Sequence, residues 1–153
     1  MDKQHLITLL DSALAAFPVE QAGHLPNGKP AYKVRLETGT TESMSKYLAL
    51  NLSNQKAMRR ALSQLHPDPL VAAEIMRPVL WSRGTPWNRR KAQNLRECRA
   101  LEGCIASEKH RIACLQRDAE EKERKATKEA KRLAKEHAAE AKRLRESDPE
   151  YWL

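Results

Sequence analysis

Apolar residues recur at helical spacing near the start of the chain. They stand three and four residues apart from Leu6 to Phe17, and the run stops at Pro18. This spacing predicts an amphipathic helix over residues 3–17 with one broad apolar face.

After residue 17 the helical spacing of apolar residues ends, and a loop and then an alternating segment follow. Glycines and prolines crowd residues 18–30 and predict a loop with a turn at Asn27-Gly28. Residues 32–36 alternate apolar and basic side chains, as a half-buried strand does. Residues 48–52 are interpreted as the partner strand of a β-hairpin, with helix as the alternative.

Two helices are predicted between Ser53 and Pro78. Ser53 is a suitable N-cap for a helix over residues 54–66, which has one apolar face. Asp68 caps a shorter, mostly apolar helix over residues 69–76 that closes before Pro78. The second helix lacks the polar side chains that a recognition helix directs at base edges. We therefore expect the pair to build the core.

A long helical region follows. Thr85-Pro86 predicts a helix start, and the pattern continues to about Ser147. Gly103 could break it into a helical hairpin or a kinked rod. In the second half of this helical region the apolar stripe consists mostly of alanines. These alanines repeat every eleven residues, a period that favours a straight or right-handed helix path. These are Ala119, Ala130 and Ala141. A weak coiled coil and a solvated single helix are equally compatible with this pattern.

The predicted fold class is mainly α. A small helical head, residues 1–86, has room for one hairpin, which would make it α+β. A long charged helix, helical hairpin or coiled coil occupies residues 87–147, and residues 148–153 form a short tail. A homodimer through the C-terminal helix is compatible with the stripe.

Positive charge is concentrated in the middle of the chain. The net charge is +8 overall, but residues 118–153 carry ten basic and ten acidic side chains. Between Arg77 and Arg117 there are ten basic side chains and three acidic ones. A localised positive field of this kind attracts polyanions such as nucleic acid, or an acidic protein partner.

The segment from Arg77 to Lys91 contains five basic residues and two tryptophans. Arginine side chains at a helix start are suited to bidentate phosphate contacts, and the tryptophans could stack on unpaired bases. Packing of the tryptophans into the joint between head and helix is the favoured interpretation for those two residues. The candidate nucleic-acid-binding residues are Arg77, Trp81, Arg83, Trp87, Arg89, Arg90, Lys91, Arg96 and Arg99.

The sequence gives little support for metal binding or catalysis. Cys98, Cys104, His110 and Cys114 suit zinc by residue type, but no C-x2-C pair is present, so the cysteines are interpreted as apolar stripe residues. No nucleophile elbow or phosphate-binding loop is present. We predict no enzyme activity, no cofactor and no metal.

The sequence thus predicts a non-enzymatic accessory protein that binds nucleic acid, DNA or RNA, or a nucleoprotein complex with little sequence specificity. The alternative is a protein adaptor or loader, for example a phage or plasmid replication accessory factor acting on a host replication protein without touching nucleic acid. No apolar run reaches the length of a membrane span. Three cysteines without paired spacing indicate reduced thiols in a cytoplasm.

Overall fold

A computed structural model describes residues 2–81 and 89–147 of the chain. Within these ranges the protein is mainly helical, with four helices and a small antiparallel sheet, so the predicted fold class is confirmed. In chain order the elements are α1 (Lys3–Ala15), β1 (Val19–His24), β2 (Pro30–Leu36), β3 (Gly39–Thr40), α2 (Lys46–Leu65), α3 (Pro69–Trp81) and α4 (Arg89–Ser147). The chain divides into two compact units, Met1–Lys109 and His110–Leu153.

The first helix forms where its apolar spacing predicts it. Asp2 caps α1: its Oδ1 accepts hydrogen bonds from the backbone N–H groups of Gln4 at 2.6 Å and His5 at 3.2 Å. These bonds satisfy two of the donors that every helix start leaves open. Leu6 and Leu10 on the apolar face are buried.

Of the three strands in the sheet, only β2 is predicted from the sequence, and β1 and β3 are not. Residues 18–30 are not only a loop, because β1 lies within them and pairs antiparallel with β2. Its small and polar residues do not alternate with large apolar ones, so the pattern gives no strand signal. The predicted turn at Asn27-Gly28 is confirmed. Asn27 Oδ1 accepts from Lys29 N at 3.0 Å, and Gly28 has a φ of +83°, which glycine adopts without strain.

Residues 48–52 are helical, so the prediction of a partner strand there is wrong and its helical alternative is correct. Helix α2 begins at Lys46, where the Ser45 hydroxyl accepts from Leu48 N at 3.3 Å. Ser53, predicted as the N-cap, is instead buried inside α2, and its hydroxyl donates to the Phe17 carbonyl at 2.6 Å. Ser45 and Ser53 stand eight residues apart, and each is a suitable N-cap residue. The helix begins after Ser45, the earlier of the two.

Helix α3 continues through Pro78, so the predicted end before that proline is wrong. Pro78 is exposed and removes one backbone hydrogen bond, but Val79 and Leu80 after it are buried, and their burial offsets that loss. Met76 is also buried, which confirms that α3 contributes to the core. That core is shared by α1, α2, α3 and the first part of α4.

Helix α4 is one element from Arg89 to Ser147, so the alternative of a break at Gly103 is wrong. A glycine in a helix costs only about 1 kcal/mol relative to alanine, less than the buried residues beside it contribute. Ala100, Leu101, Cys104 and Ile105 belong to the core of the first unit. None of the helices in residues 2–81 and 89–147 is long and apolar enough to cross a bilayer.

Candidate nucleic-acid interface

A groove with a basic rim lies between α2 and the first turns of α4. Lys46 and Leu50 of α2 line it on one side, and Ala92, Gln93 and Arg96 of α4 line it on the other, around a volume of about 420 Å³. We call this site the basic groove. The two cations of the groove, Lys46 and Arg96, come from different helices.

Gln93 connects Arg96 to a buried polar cluster beneath the groove. Its side-chain oxygen accepts from Arg96 Nη1 at 3.3 Å, and its Nε2 donates to Asn54 Oδ1 at 2.8 Å and to Glu97 Oε1 at 3.3 Å. Asn54 in turn donates to the Leu50 carbonyl at 2.8 Å. Asn54 and Glu97 are 4% and 1% exposed, so the groove rests on a fixed network and a ligand does not reach the acid.

Arg99 and Tyr47 form a second polar contact between α4 and α2, three residues after Arg96 and one residue after Lys46. Arg99 Nη1 donates to the Tyr47 hydroxyl at 3.3 Å, which joins α4 to the first turn of α2 again. The Tyr47 side chain is 59% exposed and offers an aromatic face next to the cations. Of the predicted residues, Arg96 lines the basic groove, and Arg99 stands three residues later, about 60° away around α4.

Arg77 lies elsewhere. Its guanidinium is 3.4 Å from Glu102 and 3.9 Å from Glu74, so two carboxylates already offset its charge. Glu102 stands six residues after Arg96, which separates the two positions by about 120° around α4. Arg77 therefore belongs to the contact between α3 and α4 and does not line the basic groove.

The remaining candidate residues are Lys91, Arg89, Arg90, Arg83 and Trp87. Lys91 is exposed on α4, five residues before Arg96 and so about 140° away around the helix. Arg89 and Arg90 form the start of α4, where only the backbone is described. Arg83 and Trp87 lie outside the described residues. Their part in binding stays a prediction.

Trp81 is the last residue of α3, and its side chain is 75% exposed. The interpretation that it packs into the joint is therefore wrong for this tryptophan. An indole this exposed can meet a base or a protein surface.

Lys46 and Tyr47 were not among the residues predicted from the sequence. They stand directly before residues 48–52, for which strand and helix are alternatives, and nothing in the local pattern links them to residues fifty positions later. Only the packing of α2 on α4 brings the side chains together. A helical assignment of residues 46–52 would have placed Lys46 on a helix start but would not have identified its neighbours.

Cys98 and Cys104 have the surroundings of packing residues. Cys104 is buried in the core, and burial raises the pKa of its thiol, an effect that Arg59 partly opposes. Burial also raises the pKa of Cys98, with the charges of Glu97 and Glu102 adding to the shift. A raised pKa disfavours the thiolate that nucleophilic or metal chemistry requires.

The four residues that suit zinc by type, Cys98, Cys104, His110 and Cys114, are not brought together as a set. His110 Nε2 and Cys114 Sγ are 3.5 Å apart on one face of the helix, as their spacing of four implies. Among the described residues, no group of three or more His, Cys, Asp or Glu side chains could hold a metal ion.

Comparison of the chain with protein-family models, with curated proteins and with solved structures returns no match.

Proposed function

We propose that the protein is a non-enzymatic accessory protein that binds nucleic acid, alone or within a nucleoprotein complex, through the basic groove and the arginines near it. The observation that carries this proposal is the position of Lys46 and Arg96, which belong to different helices and line one groove. The sequence carries no catalytic motif, so the proposed role is binding.

The chemistry of the groove suits a phosphate chain. Arg96 can donate two hydrogen bonds to one phosphate, and Lys46 adds a compact point charge. Gln93 holds the guanidinium of Arg96 at 3.3 Å, which reduces the conformational entropy lost on binding. None of these groups distinguishes base pairs unless it reaches a base edge, so we expect binding with little sequence specificity.

We also propose that the protein works in the cytoplasm. All three cysteines of the chain are free thiols. Free thiols are typical of a reducing compartment.

The proposal is tested by removing the two cations of the groove. The Lys46→Gln, Arg96→Gln double variant should bind a fluorescent oligonucleotide at least about tenfold more weakly than the unmodified chain. The measurement is fluorescence anisotropy at low salt, with single-stranded and duplex forms of DNA and RNA. The circular dichroism spectrum should be unchanged, because both side chains lie at the surface of the groove.

The matched control is Lys29→Gln, Lys109→Gln, which removes two exposed lysines outside the groove. Net charge falls equally in both double variants, so the control separates a local contact from general attraction. Equal weakening by the two would contradict a site at the groove. No binding by the unmodified chain at low salt would remove the proposal altogether.

A second candidate is a protein adaptor or loader, and the exposure of Trp81 favours it. Exposed tryptophan is enriched among the residues that dominate protein interfaces. Nuclease treatment of a pulldown distinguishes the candidates. A complex that survives nuclease and is lost on Trp81→Ala indicates an adaptor; a complex that disappears with nuclease indicates nucleic acid.

A further inference from the structure

The basic groove is lined by apolar as well as cationic side chains. Leu50 of α2 and Ala92 of α4, both partly buried, line it together with Gln93 and the two cations. Among the described residues, no acidic side chain lines it. A nucleotide combines an anionic phosphate with the apolar face of a base, so this lining suits a nucleotide better than a phosphate alone.

Tyr47 lies on the same side of α2 as the residues of the groove. Each residue advances about 100° around a helix, so Lys46, Tyr47 and Leu50 fall within an arc of about 100°. The side chains of this arc reach α4, because Arg99 Nη1 lies 3.3 Å from the Tyr47 hydroxyl. The ring therefore stands beside Lys46 where α2 meets α4, and it is exposed.

We propose that the basic groove binds an unpaired segment of nucleic acid, with one base stacked on the ring of Tyr47 and neighbouring phosphates held by Lys46 and Arg96. This inference rests on the proposed function and names the form of nucleic acid that the same site prefers. Stacking needs the face of a base, which a single strand exposes and a duplex keeps inside its own stack. A duplex still meets the cations through its phosphates, so it binds more weakly.

The contact with Arg99 prepares the ring of Tyr47 for this role. The contact is made by the hydroxyl at the tip of the side chain and not by the face of the ring. A tyrosine has only two rotatable side-chain bonds, so a ring held in this way loses little conformational entropy when a base stacks on it. Stacking also tolerates every base, which agrees with binding of little sequence specificity.

The first test compares a fluorescent oligothymidylate with a fluorescent duplex of the same length, by anisotropy at one low salt concentration. Tyr47→Ala should weaken single-strand binding at least about fivefold, the effect of losing one stacked base, and leave duplex binding within about twofold. Leu48→Ala is the matched control and should change neither. Leu48 is also exposed but lies about 160° from Lys46 and from Leu50 around α2.

Tyr47→Phe separates stacking from a structural role of the tyrosine. This variant removes the hydroxyl contact with Arg99 but keeps the ring, so single-strand affinity should stay within about threefold of that of the unmodified chain. A loss as large as that of Tyr47→Ala would assign the effect to the contact between the helices and overturn the stacked base.

The outcomes distinguish this inference from the proposed function. Equal weakening of both forms by Tyr47→Ala, no weakening of either, or tighter binding of the duplex would overturn the stacked base and leave nucleic-acid binding in place. No binding of either form by the unmodified chain would remove both.

Photocross-linking locates the stacked base directly. An oligonucleotide that carries bromodeoxyuridine in place of thymidine is irradiated with the unmodified chain, and the attached peptide is identified by mass spectrometry. The cross-linked peptide should contain Tyr47. A cross-link confined to Trp81, whose indole is also exposed, would place the base away from the groove and overturn the proposal.

Discussion

Truncating Leu101 to alanine should destabilise the first compact unit by about 2 to 5 kcal/mol, the usual cost of removing a buried leucine and leaving a cavity. The Leu101 side chain is 2% exposed and packs with core residues of α1, α2 and α3. Domains are stable by only about 5 to 15 kcal/mol, so the loss is a large fraction of the total. With a urea dependence of about 2 kcal/mol per molar, a loss of about 3 kcal/mol lowers the unfolding midpoint by about 1.5 M.

Leu95→Ala is the matched control on the same helix. The Leu95 side chain is 49% exposed, so the same truncation should cost about 1 kcal/mol or less. Urea unfolding is followed by circular dichroism together with hydrogen exchange at the amides of Leu10 and Met58, which report the core of the first unit. Equal losses for the two variants would refute the conclusion that α4 completes this core.

Three further predictions concern single positions. Ser53→Ala should cost about 0.5 to 1.5 kcal/mol in urea unfolding, because the part-buried Phe17 carbonyl loses the hydroxyl that donates to it at 2.6 Å; no change would mean that water replaces the bond. Gly103→Ala should stabilise α4 by about 0.5 to 1 kcal/mol in thermal unfolding, since a Cβ there meets nothing within 4 Å; a loss would show that the helix is strained at this residue. The raised pKa of Cys104 means that the folded state holds the thiol proton more tightly than the unfolded state does, so stability is retained below the ordinary value of 9.0 and falls as pH rises above it. Cys104→Ala should flatten that alkaline decline in unfolding free energy, and an unchanged slope would contradict burial as its cause.

The helices were predictable from the sequence because their apolar faces repeat over several turns. Helix α1 and the course of α4 agree with the expected segments to within a few residues. Short elements were less predictable. Strand β1 consists of small and polar residues, and its pairing with β2 specifies it; residues 48–52 fit strand and helix equally until the buried face of α2 is seen.

The residues of the basic groove were predictable only in part, because some of them come together only through long-range packing. The excess of arginine between Arg77 and Arg117 identified a region, and Arg96 and Arg99 lie within it. Lys46 and Tyr47 reach the same place through the packing of α2 on α4, a long-range contact that no local pattern records. Arg77 lies within the same basic segment but is offset by Glu74 and Glu102, and only the structure shows these partners.

The salt dependence of oligonucleotide binding tests the central claim most directly. If about five phosphates are neutralised, log affinity should fall with log salt at a slope of about −4.5 for duplex and about −3.5 for a single strand. The Lys46→Gln, Arg96→Gln variant should lose about two phosphate contacts, which makes the duplex slope shallower by about 1.8. A slope near zero for the unmodified chain, or the same slope for chain and variant, would contradict phosphate binding at the basic groove.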